Sequence, residues 1–116
     1  MINSVKILDF WFKECNPKMW FKKDQEFDKL IKNRFQKIFE YCLENEINNN
    51  PINKENYLSW IIILDQFSRN IYRNQIKSFA GDEKALKLSK IAINKNFLTS
   101  NKAHFNSFFL MPFLHS

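Results

Sequence analysis

An all-α fold is what this chain predicts, on three observations. Apolar residues recur at the helical spacing of three and four along most of its length. A residue able to cap a helix, Ser, Asp, Asn or Thr, stands just before each of those runs. Gly81 is the single glycine and there are only three prolines, so the turn vocabulary that short-stranded all-β folds require is missing. The pattern gives about five helices. A length of 116 residues suits one domain over 1–116, and 45% hydrophobic content with 13 Phe supplies its core.

Ser4 is placed to cap a first helix from about Val5 to Cys15, which Asn16 and Pro17 end. Val5, Leu8, Trp11 and Phe12 share one face of it. The segment PKMWFKKD that follows reads as a loop whose Met19, Trp20 and Phe21 fold back over the helices, because exposed aromatics cost solubility. Asp24 caps a long second helix, about Gln25 to Asn45, with Glu26 and Asp28 set against the positive end of its dipole. Phe27, Leu30, Ile31, Phe35, Ile38, Phe39 and Cys42 carry the helical period. Arg34 lies on that seam and either pairs inward or reaches out to water. NEINNNPIN, residues 45 to 53, is the most loop-like segment.

Asn53 opens the central helix, which runs to about Arg73 and closes at Asn74. Tyr57, Trp60, Ile61, Leu64, Phe67, Ile71 and Tyr72 fall on one broad arc of it, at roughly 100° per residue. In the first half Leu58, Ile62 and Ile63 make the opposite arc apolar too, so this part is expected to be buried all round. In the second half Asp65, Gln66, Arg69, Asn70 and Arg73 take over that arc at spacings of three and four, which bring helix side chains together. Such a cluster belongs at the edge of the core, where polar groups need partners.

After this helix, SFAGD places Gly81 directly before Asp82. Glycine there permits positive φ or the close approach of another backbone, and Asp82 is positioned to cap a helix from Glu83 to about Lys95. Ala85, Leu88, Ser89 and Ala92 give that helix a small-residue face suited to close packing. Thr99 or Ser100 caps a last helix containing His104, Phe105, Phe108, Phe109, Leu110 and Met111, which Pro112 should kink or end.

The net charge is +6, with fifteen Lys against three Arg. The Lys are spread through every segment, as on a solvated surface, and no nucleic-acid motif accompanies them, so nucleic acid is not an expected partner. Against that background Arg69 and Arg73 stand out: two of the three arginines lie one turn apart, each with a planar fork that Lys cannot replace. Cys15 and Cys42 have neither metal nor redox spacing and read as reduced thiols of a cytoplasmic protein. The N-terminal stretch carries charges within its apolar run and lacks a small-residue cleavage site, so it is not read as a signal peptide. The longest apolar runs, near residues 60 to 64 and 108 to 114, fall well short of the roughly 20 residues a membrane helix needs.

Several segments together resemble a bacterial family known as domain of unknown function 924. They are ILDFWF at 7 to 12, MWFKKDQEFDKLI at 19 to 31, LDQFSRNIYR at 64 to 73, SFAGDEKAL at 78 to 86 and FFLMPFLHS at 108 to 116. The resemblance implies antiparallel helix pairs of tetratricopeptide type, a cytoplasmic protein and no assigned reaction. The sequence departs from the family pattern at Ser68, where the motif usually has Pro, and at Leu114, where it usually has Glu. It also ends before the acidic residues and terminal helices the family normally adds. By that comparison Arg69 or Arg73 loses acidic partners, and the apolar 108–114 segment needs cover from a further element or a second copy of the chain.

No GxGxxG, P-loop, HExxH, CxxC or nucleophile-elbow pattern is present, and a single glycine excludes Gly-rich phosphate cradles. Two His are too few for a metal site, and neither metal nor cofactor is expected. The chemistry therefore rests on Asp65, Gln66, Arg69, Asn70 and Arg73, with Asp82 and His115 as candidates to reach them from other helices. Three readings stay open. In the first, Asp65 and Arg69 pair along the helix while Arg73 or Asn70 ties down the following loop through its carbonyls, and no ligand is involved. In the second, the chain is a protein- or ligand-binding module whose two arginines grip a carboxylate or phosphate. In the third, it is an enzyme acting on a small anionic substrate held by Arg69 and Arg73, with Asp65 or His115 handling a proton.

Overall fold

The computed structural model describes residues 2–47, 53–99 and 101–116. All regular structure among them is helical. The loop expected over 45–53 falls largely outside these residues, as does Ser100.

Helix α1, Ser4–Asp9, is capped by Asn3 rather than Ser4, through Lys6 N–H donating to Asn3 Oδ1 at 3.2 Å. A cap needs extended backbone, and Asn3 has it at φ −89° and ψ 97° whereas Ser4 is already helical. The helix widens into a π turn over Phe10–Glu14, and both Phe10 and Trp11 are buried there. PKMWFKKD is not all loop: Pro17–Trp20 forms a short α2, with Asn16 capping and Pro17 at the first position, where a missing N–H costs nothing. Trp20 is buried, its indole N–H donating to Trp11 O at 2.8 Å. Phe21 remains exposed.

Helix α3, Gln25–Glu44, is capped as expected by Asp24, which accepts from the N–H groups of Glu26 and Phe27. Phe27, Ile31, Phe35, Phe39 and Cys42 form its buried stripe. Arg34 stays at the edge, 3.3 Å from Glu14 and lying over the Phe10 and Phe35 rings.

The central helix begins at Asn53, whose side chain accepts from Glu55 and Asn56. It runs as α4, Lys54–Ile61, a π turn over Ile62–Phe67, and α5, Ser68–Ile71. Every residue from Tyr57 to Ser68 is buried. One side packs on α3, where the Phe10, Phe35 and Phe67 rings meet. The π turn also accounts for the serine at 68. Its N–H turns to Gln66 O, and Leu64 O is taken by the Ser68 hydroxyl at 2.8 Å. Proline, which has no N–H, would forfeit little at such a place. Asn74 closes the segment at φ 68°.

A 3₁₀ helix, Ile76–Phe79, leads into α6, Asp82–Asn94. Asp82 is not the cap: Gly81 holds that position and has no side chain to offer, while the Asp82 carboxylate pairs with Arg69. Gly81 has φ −91°, so its use is close approach and not a left-handed turn. A Cβ added there would lie 2.4 Å from Leu64 O on the central helix. Ala85, Leu88, Ser89 and Ala92 are the buried face of α6, against the central helix.

Helix α7, Ala103–Leu114, starts after Lys102 without a side-chain cap. Thr99 does not cap it: Thr99 and Asn106 instead exchange two hydrogen bonds between backbone and side-chain amide. Pro112 sits inside the last turn, and the helix continues to Leu114. Phe108, Phe109 and Pro112 are buried by the chain itself, while Leu110, Phe113 and Leu114 face outward.

Candidate functional site

The polar residues of the central helix separate into two ion-pair systems, side by side on the surface where α5, the 3₁₀ helix and the start of α3 come together. The first centres on Asp65, which is 0% exposed. Its Oδ2 accepts from Gln66 Nε2 at 2.9 Å, and its Oδ1 lies 2.8 Å from His115 Nδ1 and 3.5 Å from Arg69 Nη1. An ionised carboxylate can only accept, so it fixes the ring proton on Nδ1 and turns Nε2 away. Arg69 spans from this carboxylate to α6: Nη1 and Nη2 meet Asp82 Oδ1 and Oδ2 at 2.9 and 3.0 Å, a bidentate fork. Its Nη1 also donates to Asp65 O. Asp82 and His115 thus both reach the central helix.

The second system centres on Asp28, in the first turn of α3. Arg73 donates from Nε to Asp28 Oδ2 at 2.6 Å and from Nη2 to Oδ1 at 3.0 Å, and Asn70 Nδ2 adds a bond to Oδ1 at 2.9 Å. These hydrogen bonds hold the Arg73 guanidinium's pKa above its already high usual value. One expectation is corrected here: Arg73 and Asn70 clamp a neighbouring helix rather than the carbonyls of the next loop. Asp82 and Asp28 are the acids that take the two arginine forks. Asp28 has a readable signal after the fact: it is the third acid at the start of α3, where Asp24 alone already caps the amides of Glu26 and Phe27.

Beside these pairs lies a groove of about 440 Å³, lined by Lys23, Arg69, Arg73, Asn74, Gln75, Ile76, Ser78 and Phe79. The arginine side chains are 23% and 28% exposed, neither sealed nor free in water. Asp28, Asp65 and Asp82 are absent from the lining, and the three charged residues that do line it are all cations. Among the described residues Lys23 has no ion-pair partner, and Arg73 Nη1 and Arg69 Nε make no hydrogen bond, so they remain available as donors. The described residues contain no group of three or more His, Cys, Asp or Glu that could hold a metal ion. No described helix is long and apolar enough to cross a membrane.

The fold is also seen in a solved structure, that of a protein of unknown function from Agrobacterium tumefaciens. It superposes with a TM-score of 0.85 at 29% identity, over 97% of this chain and 64% of that one. The present chain therefore spans just under two thirds of that relative's length. No curated protein matches the sequence. The segments that carry the family resemblance all lie in the elements described above, and the family model for bacterial proteins of unknown function DUF924 matches residues 7–116. The chain belongs to that family.

Proposed function

We propose that this chain is a helical binding module whose groove receives a small anion. One observation carries the reading: Lys23, Arg69 and Arg73 line the groove, and none of the carboxylates that hold the arginines does. Asp28 and Asp82 use part of each fork and fix its direction, so the remaining N–H groups are preorganised for a carboxylate or phosphate. The volume is within the range of small-molecule sites, roughly 300–1,000 Å³. The groove is open, and the arginines are already neutralised by acids, which together fit modest affinity. A single 1–116 domain of tetratricopeptide-type helix pairs in the cytoplasm belongs to the same reading, supported by the small-residue face of α6 and by two buried free thiols. The outward Leu110, Phe113 and Leu114 also give α7 an apolar strip that fits self-association.

The test is titration with inorganic phosphate followed by NMR. Arg73, Arg69 and Lys23 side-chain signals should shift together, and Lys23→Gln should weaken binding several-fold with an unchanged melting temperature. Binding unaffected by Lys23→Gln, or none at millimolar phosphate, would remove the reading.

A second reading, an enzyme acting on a small anionic substrate, is favoured by one feature. His115 and Arg69 meet on the same oxygen of buried Asp65, which places an oriented imidazole beside an anion-binding guanidinium. In that case His115→Gln should abolish turnover of a bound ester or phosphoester and leave its binding intact.

A further inference from the structure

The cationic end of the groove is continuous with apolar surface. Ile76 and Phe79 both line it, at 89% and 58% exposure. Single apolar residues on a surface are ordinary. These two, however, are the first and last residues of one 3₁₀ helix, and in that geometry side chains three apart eclipse each other. They therefore form one ledge on the groove and not two scattered contacts. The Arg69 guanidinium lies 5.5 Å over the Phe79 ring, joining the ledge to the charged end. A hydrated inorganic ion would use none of this ledge.

We infer that the ligand of the groove is a small amphipathic acid, with a carboxylate or phosphate head on Arg73 and Lys23 and an aliphatic or aryl body along Ile76 and Phe79. This rests on the anion-binding reading and narrows its substrate class. Charge complementarity fixes the head, and the exposed side chains that share the groove fix the body. Asn74, Gln75 and Ser78 supply neutral polar groups between them.

The experiment compares acetate and inorganic phosphate with phenylacetate, hexanoate and the uncharged benzyl alcohol, using calorimetry or NMR on the full chain. Phenylacetate and hexanoate should bind about tenfold or more tighter than acetate, the gain expected from partly burying a ring or short alkyl chain. Ile76→Ser combined with Phe79→Ser should erase that gain, so that on this variant phenylacetate and hexanoate bind no tighter than acetate. Both positions are exposed, so the variant should fold, and its circular dichroism checks this. Equal affinities for acetate and phenylacetate would overturn the amphipathic ligand while the anion site stands. A gain that survives the double variant would do the same. Benzyl alcohol binding as well as phenylacetate, or no acid binding at all, would instead overturn the anion site itself.

Discussion

Arg73 and Asp28 lie 45 positions apart in the sequence and meet through two hydrogen bonds, Nε to Oδ2 at 2.6 Å and Nη2 to Oδ1 at 3.0 Å. The pair ties the end of the central helix to the start of α3 and leaves the rest of the guanidinium for the groove. Asp28→Ala should cost about 1–3 kcal/mol, the scale of charge-assisted hydrogen bonds at a partly buried position. Arg73→Lys should recover little, since an ammonium cannot reproduce the side-on fork. Chemical denaturation of the Asp28→Ala and Arg73→Ala variants and their double checks this: a coupling under about 0.5 kcal/mol would mean the pair acts independently.

The Arg69 fork predicts a different split. Asp82→Asn keeps the shape but weakens the bidentate bond, so Arg69 gains freedom to turn toward the groove or toward buried Asp65. Stability should fall by about 1 kcal/mol, and affinity for phosphate should fall with it, because the freed guanidinium is no longer held in the direction the groove uses. A rise in phosphate affinity would show instead that Asp82 competes with the ligand for Arg69.

Gly81 is constrained by space alone. A Cβ there would stand 2.4 Å from Leu64 O and 3.0 Å from Leu64 C, both backbone atoms that cannot swing aside. Gly81→Ala should therefore destabilise by about 1–3 kcal/mol through overpacking, read as a melting temperature lower by roughly 4–15 °C. Ala80→Gly, next to it on the exposed side, serves as the control.

Alkaline pH should loosen the fold through the two thiols. Burial pushes Cys15 up to about 11 and Cys42 up to about 12, from an ordinary 9.0. Above about pH 9 the unfolded chain releases these protons and the native one does not. The native state then binds more protons, and stability falls as pH rises, by up to about 1.4 kcal/mol per pH unit for each thiol until its native pKa is reached. Urea midpoints measured from pH 8 to 10.5 should decline in the parent and more gently in Cys15→Ala. At pH 8 both thiols should react with a small alkylating agent far more slowly than in urea.

Where the chain's own local rules apply, the fold was legible. Asp24 and Asn53 cap the helices their spacing assigns them, because an extended residue with a short acceptor admits little else. Asp65, Gln66, Arg69, Asn70 and Arg73 lie together for the same reason, helical periodicity. What periodicity does not encode is the partner across space. Asp28 looks like a dipole residue until α3 is docked beside α5, and Asp82 looks like a cap until Arg69 claims its carboxylate. Lys23, one of fifteen lysines, carries no mark that would single it out from the rest. The π turns were equally hidden, since their apolar residues fit an α pattern one residue at a time.

The π turn over Ile62–Phe67 fits one extra residue into what is otherwise a continuous helix. Loss of a single residue there would let an ordinary helix run through and leave everything downstream in phase, because the π turn is what absorbs the extra residue. The α turns before it, Lys54–Ile61, have no such slack: a residue lost from them would rotate everything downstream by about 100° against the rest of the fold. Arg69 would then swing off Asp82 and Arg73 off Asp28. A dropped codon is thus tolerated better inside IILDQF than in the regular helix that leads into it.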